Sequence, residues 1–186
     1  LNCVSNGKLF ENTPFEEFYF QPASGDAGGA LGCALQWYYE NNSSVKKIAN
    51  PNTLLGPKFS NNEVMAFLNT KGLKFHAFKK DCRGKEIAKF IFDKKIIGHF
   101  DGKMEFGPRA LGNRSIIANP MDVEMQSKLN LNIKFRESFR PFAPIYAEEK
   151  TKEYFDFDRS SPYMLIVRNV KESLLIENED IQTDDM

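Results

Sequence analysis

Cysteine and histidine are scarce in this sequence of 186 residues, with three cysteines (Cys3, Cys33 and Cys82) and two histidines (His76 and His99). Three widely spaced thiols make neither a disulfide scaffold nor a Cys-based zinc site, and they suit a reducing, cytoplasmic compartment. Two histidines cannot build a His-rich metal site, and they leave a Ser-His-Asp hydrolase almost no choice of base. An excess of one charge is missing too. Lys plus Arg and Asp plus Glu each number 25, so the formal net charge is zero, which speaks against a bulk binder of nucleic acid. No run approaches ~18 apolar residues, so no membrane span is expected. The opening LNCVSNGKLF has no basic segment followed by an apolar one, so a signal peptide is not expected. Internal repeats and low-complexity runs are absent as well.

What remains is globular in composition, 41% hydrophobic and 27% charged, and long enough for one domain or pieces of two. Phe15–Phe20 is aromatic-rich and predicts a strand, ending in the turn Gln21–Gly25. Asp26 then opens an Ala/Leu/Gly run that predicts a helix, whose three glycines permit close backbone approach. Asn41–Pro57 is polar and rich in turn residues, a connection. Ser60 with Glu63 forms a capping-box pattern before a helix of about ten residues, with Gly72 as its C′ residue. Leu73–Phe78 alternates like a strand. Gly84–Lys95 is amphipathic, Ile96–Phe100 predicts a buried strand, and Ser115–Ala118 a short one. Met125, Leu129 and Ile133 recur at helical spacing within Met121–Ile133, and Ala143–Ala147 and Met164–Val167 predict further strands. Alternating strands and helices place the chain in the α/β or α+β class.

The informative stretch is Gly102–Pro144. Between Lys103 and Arg140 stand seven basic residues (Lys103, Arg109, Arg114, Lys128, Lys134, Arg136 and Arg140) against four acids. Arginine offers a planar fork of donors that suits phosphate or carboxylate, and lysine a point charge. Gly102, Gly107 and Gly112 can expose backbone N–H groups to a phosphate oxygen, and Ser115 adds a hydroxyl. Pro108, Pro141 and Pro144 stiffen the loops. Neither GxxxxGK[ST] nor GxGxxG occurs, so general nucleotide motifs are silent. A bland reading stands beside the anion site: loop arginines are often only solvated, and phenylalanine-rich stretches often only core.

The run GKMEFGPRALGNRSIIANP followed by IKFRESFRPFAP closely resembles the signature of the O-carbamoyltransferases, enzymes of nodulation-factor and antibiotic biosynthesis. QPASGDAGGALGCAL, LLGPKFSNNEV and SPYML look like the same family, so the resemblance covers nearly the whole chain in order. It implies an actin-like, ATPase-fold transfer domain ending at residues 1–50 and a connector at 51–57. A C-terminal domain over 58–186 would follow, a twisted-sheet domain similar to the threonylcarbamoyl-adenylate synthase fold. The implied activity consumes carbamoyl phosphate and ATP, forms carbamoyl adenylate, and passes the carbamoyl group to the hydroxyl of a small acceptor. By the resemblance, Arg109, Lys134 and Arg140 match the family's basic residues around carbamoyl phosphate and the ATP phosphates. Arg114, Ser115, Arg136 and Lys103 are further phosphate-binding candidates in the same motifs. Magnesium would bridge the phosphates. Asp26 matches an acid of the transfer domain's divalent-metal site, Fe2+ by the family's pattern; its alternative role is a helix N-cap. A homodimer is among the expectations; nucleic acid and membrane are not.

Two departures are mild: Lys103 stands where arginine is usual, and Asp101 where glutamine is common. Others bear on activity. The family's HxxxH metal motif and its VDGTARxQ-like and NTSFN-like segments are not found in the sequence. The chain is therefore expected to be a piece of a longer enzyme, inactive by itself because catalytic groups that act as a unit are missing. The alternative is a non-catalytic anion-binding or interaction module on the same scaffold. His76 and His99 are expected to be structural or surface groups, the cysteines to pack as small apolar residues, and the acidic end, Glu177–Asp185, to be solvated.

Overall fold

Asn2 opens the first helix, α1 (Cys3–Asn12), by accepting the Ser5 N–H on its side-chain oxygen at 3.0 Å. The apolar pattern of this segment is weak, and its helix was not foreseen. Gly7 explains why the segment is tolerated. A Cβ there would lie 2.5 Å from the Val167 carbonyl oxygen, so only glycine lets the helix meet that strand-like segment.

The computed structural model describes residues 1–46 and 52–176, which divide into two units. One joins Leu1–Phe18 to the chain from Ile145 onward; the other is Tyr19–Pro144. In the first, Asn6 Nδ2 donates to Leu165 O at 2.9 Å and Val167 N–H to Cys3 O at 3.2 Å, which holds α1 to the end of SPYML and the residues just after it. Leu165 is buried there. Phe10 is 4.3 Å from Phe18 and 5.7 Å from Phe157, ring centre to ring centre, and the guanidiniums of Arg159 and Arg168 lie over it. A short helix, Thr151–Tyr154, precedes a single bridge between Phe155 and Val170.

The second unit carries α2 (Asp26–Asn41), α3 (Asn61–Thr70), α4 (Arg83–Phe92), β1 (Ile97–Phe100), β2 (Arg114–Ile117) and α5 (Met125–Lys128). The capping box of α3 is formed, with Ser60 Oγ accepting the Glu63 N–H while Glu63 accepts the Ser60 N–H. Gly72 follows the helix with φ +63°, the left-handed conformation foreseen for it. β1 and β2 run antiparallel, with Ile97 opposite Ile117 and Phe100 opposite Arg114. They form the only sheet among the described residues. The chain is thus of mixed α and β structure.

Several expectations fail here. Phe15–Phe20, Leu73–Phe78, Ala143–Ala147 and Met164–Val167 form no strand. Alternation is a local pattern, whereas a strand needs a partner, and none pairs with these segments among the described residues. β1 is not buried: its residues alternate between half-buried and exposed, as expected when a strand has a single neighbour. Cys33 and Cys82 are exposed rather than packed. The proposed connector at 51–57 lies partly, and the acidic end wholly, outside the described residues.

The helix after Pro120 departs from its expected period. Met125 and Leu129 are buried, but Ile133 is 41% exposed. From Leu129 to Lys134 the helix widens into a π-helix. Its i→i+5 bonds add a residue per turn, so the four-residue step no longer returns to the same face.

Candidate functional site

The glycine-rich segment between β1 and β2 is built around its own carboxylate. Glu105 is buried, and its Oε1 accepts the backbone N–H groups of Leu111 and Asn113 at 2.8 Å and of Arg114 at 3.3 Å. The Arg114 Nε lies 3.9 Å from Oε2. Burial by itself would push this carboxyl up, but the N–H groups of Leu111, of Glu105 itself, of Asn113 and of Arg114 outweigh it and hold the pKa below the usual glutamate value. Ser115 Oγ accepts the Gly112 N–H at 2.9 Å, and His99 Nδ1 meets Gly112 O at 2.8 Å. A carbonyl can only accept, so His99 carries its proton on Nδ1 and is structural.

This corrects one expectation. The N–H groups of Leu111, Gly112, Asn113 and Arg114 do not wait for a phosphate; Glu105 and Ser115 already take them. The loop fixes its shape internally, and its outward chemistry is left to side chains. Gly102, Gly107 and Gly112 serve the turn geometry, with φ of +68°, +121° and +114°. The outer limb of the loop pairs with the chain before α3: Gly56 N–H donates to Met104 O, Met104 N–H to Pro57 O and Phe106 N–H to Thr53 O. Lys103, bridged to Lys58, is exposed, and Arg109 and Arg114 are half-buried.

The start of α2 comes against the same loop. Ala23 is buried, and a Cβ on Gly107 would lie 3.3 Å from the Ala23 Cβ. Asp26 is the first residue of α2 and exposed, with Gly25 at the N-cap position and no side-chain cap bond, so the N-cap alternative for Asp26 does not hold. Its carboxylate near the helix N-terminus is still favoured by the helix dipole. Among the described residues no three His, Cys, Asp or Glu side chains group closely enough to hold a metal. Asp26 is therefore not part of such a group among the described residues.

The second basic segment follows the π-turn. Asn130 is fully buried; its Nδ2 donates to Ser138 O at 2.8 Å and Arg140 O at 2.9 Å, and its Oδ1 accepts from Arg136 Nε at 2.7 Å. Gln126 Nε2 donates to Phe139 O and Arg140 O from one helical turn earlier. The Arg136 guanidinium lies 5.1 Å over the Phe142 ring. Arg140 pairs with Glu137, Nε to Oε2 at 2.8 Å. The backbone N–H of Glu137, then the Arg140 hydrogen bond and charge, hold the Glu137 carboxyl below its ordinary value. Lys134 is exposed, with no ion-pair partner among the described residues. Lys128 turns away from an anion role. It meets Glu124 at 2.8 Å and the buried Asp122 at 3.6 Å, and Lys94 approaches Asp122 from another element at 3.5 Å.

Glu105, Asn130, Gln126 and Asp122 were not singled out from sequence. Glu105 did leave a trace, as the lone acid of a basic, glycine-rich loop. Asn130 left another, as a residue that competes for backbone bonds yet stands inside a helical pattern.

The chain matches a family profile described as "Carbamoyltransferase C-terminus" over residues 88–183, and one described as "Carbamoyltransferase N-terminus" over residues 1–35. It is 44% identical over 181 residues to an uncharacterized protein of Synechocystis, covering 94% of this chain and 29% of that protein. It is 38% identical over 176 residues to the nodulation protein NolO of Bradyrhizobium diazoefficiens, covering 92% and 32%. It is 33% identical over 171 residues to nodulation protein U of Rhizobium fredii, covering 92% and 27%. The chain spans less than a third of the length of these curated relatives. Since the C-terminal profile alone takes in more than half of its residues, and both basic segments lie within that match, the chain belongs to the carbamoyltransferase family.

Proposed function

We propose that this chain is part of an ATP-dependent O-carbamoyltransferase and carries the phosphate-recognising face of its activation domain. Carbamoyl phosphate, ATP and water would give carbamoyl adenylate, pyrophosphate and phosphate, and the carbamoyl group would pass to an acceptor hydroxyl. The observation that carries the reading is the division of labour in the two basic segments. Buried Glu105 and Asn130 consume the backbone groups and fix the loops. Arg109, Arg114, Lys134, Arg136 and Arg140 stand on the segments so fixed, and guanidinium and ammonium donors in that number suit an anion.

Adenylation moves negative charge onto the leaving pyrophosphate, and cations held in advance stabilise that charge as it develops. Arg109, Lys134 and Arg140 take this role in the reading, with Lys103, Arg114, Arg136 and Ser115 beside them. Magnesium would accompany the phosphates. A divalent metal of the transfer domain would need ligands beyond Asp26. The domain architecture is read as the end of an actin-like domain followed by a domain like threonylcarbamoyl-adenylate synthase, working in the cytoplasm. No helix of the described residues is long and apolar enough to cross a membrane.

Calorimetric titration of the chain with carbamoyl phosphate, and separately with ATP and magnesium, tests the reading. Binding is expected, weakened about tenfold or more by Arg109→Ala and by Lys134→Ala, in line with the loss of one charge-assisted hydrogen bond. A well-folded chain that binds neither ligand, or binds them equally after both substitutions, would overturn it.

A further inference from the structure

The second basic segment leaves its π-turn through a residue that the backbone does not favour. Phe135 caps the turn after Lys134 with φ +49° and ψ +52°, the left-handed conformation. Glycine or asparagine ordinarily takes such a place, because a Cβ there crowds the following carbonyl oxygen. Among the described residues only Lys94, Phe135 and Met164 have a positive φ without being glycine, so Phe135 is the one aromatic held this way. Burial of a side chain can offset that strain, and here it does not. Phe135 is 84% exposed, more than any other aromatic among the described residues. Its N–H donates to the Asn130 carbonyl, so the turn is fixed while the ring is presented to solvent. Strain that the fold does not recover in packing clusters where a ligand is met.

The neighbours of the ring say which kind of ligand. Exposed Lys134 precedes it, Arg136 follows it, and Arg140 stands later in the same segment. A ligand that meets the ring and these cations together has a flat face with π-electrons and several negative charges. A nucleotide has both: its base stacks on aromatic side chains, and its phosphates pair with Lys and Arg. We propose that Phe135 is the base-stacking residue of this segment, so that the segment reads a nucleoside triphosphate rather than a bare polyphosphate. The inference deepens the phosphate-recognition reading above and rests on it. Lys134 and Arg140, with Arg136 beside them, keep the phosphates, and Phe135 adds the base. Stacking needs a flat ring at this position, not merely an apolar side chain.

Calorimetry on the full chain, with magnesium present, tests this with two probes, ATP and inorganic tripolyphosphate. Phe135→Leu, apolar but without a π-face, should weaken ATP binding about fivefold or more, and tripolyphosphate binding by less than about twofold. Phe135→Trp should keep ATP affinity within about twofold or raise it. In proton NMR the adenine C–H signals of ATP are expected to move upfield on adding the unaltered chain, through the ring current of the stacked phenylalanine, and not on adding Phe135→Leu. Thermal melts by circular dichroism accompany each variant. If Phe135→Leu does not fold, Phe135→Gly decides, because glycine adopts this φ without strain. ATP affinity unchanged by loss of the ring would overturn this inference alone. Equal losses for ATP and tripolyphosphate would overturn it too, since the ring would then only support the loop. A folded chain that binds neither probe counts against the functional reading beneath, and the inference falls with it.

Discussion

Glu105 shows how one buried acid can govern a basic loop. Its carboxylate takes three backbone N–H groups, and its pKa is held below the ordinary glutamate value. In the unfolded chain the group binds its proton near pH 4.3, and in the folded chain only at lower pH. Between those values the unfolded state holds more protons, so stability falls as pH drops through the window. Above it the contribution is complete. Glu105→Gln is expected to lose about 1–3 kcal/mol at neutral pH, the range for disturbing a buried, charge-assisted hydrogen-bond set. Denaturant melts of both proteins from pH 7 to pH 3 should show that gap unchanged down to about pH 5 and shrinking below. A gap that stays constant to pH 3 would remove the charge from the explanation. Glu105 was legible only in hindsight. The basic residues announce themselves by composition, but the group that orders them reaches partners six to nine residues away through the shape of a loop, and no spacing rule encodes that.

At the scale of elements, what was read correctly was what is decided locally. The Ser60–Glu63 box and the left-handed Gly72 bracket α3 within a dozen residues, and the helix α4 and the strands β1 and β2, though not their pairing, were each marked by their own residues. The failed strands have the right alternation but no partner among the described residues. The misplaced Ile133 reflects a change of helical pitch that a fixed 3.6 period cannot anticipate. The pairing of Thr53–Lys58 with Lys103–Phe106 was also hidden, because it depends on Gly56. A Cβ there would lie 2.8 Å from the Met104 Cβ and 2.9 Å from its carbonyl oxygen. Gly56→Ala is therefore expected to destabilise the chain by about 1–3 kcal/mol through overpacking, and to loosen the loop that carries Arg109. Gly84→Ala is the control. Nothing lies within 4 Å of its added Cβ, and it sits in α4, so it should be neutral or slightly stabilising. Equal losses for the two variants would show that crowding at Met104 is not the cause.

For the whole molecule, the chain belongs to the carbamoyltransferases, is of mixed α and β structure, and spans less than a third of its curated relatives. Its buried apolar side chains are few among the described residues, and large ones remain exposed, Trp37 of α2 among them at 67%. As the single tryptophan of the sequence, it reports on α2 alone. Its fluorescence should have the red-shifted maximum of a solvated indole and be quenched readily by acrylamide at low protein concentration. A blue shift that grows with concentration would reveal α2 covered by a second copy, and would give substance to the homodimer expected from the resemblance.

The π-turn at Leu129–Lys134 has one more consequence, concerning chain length rather than residue identity. A π-turn holds one residue beyond what an α-helix needs. Removing a single residue there could leave a continuous helix with its hydrogen bonds intact. The residues after it would keep their direction, because the wider turn rotates the chain less per residue and its extra residue makes up the difference. Lys134 and Arg136 would then face as they do now, although the chain was one residue shorter. At this turn the chain tolerates a change of length, which a survey of substitutions alone would never read.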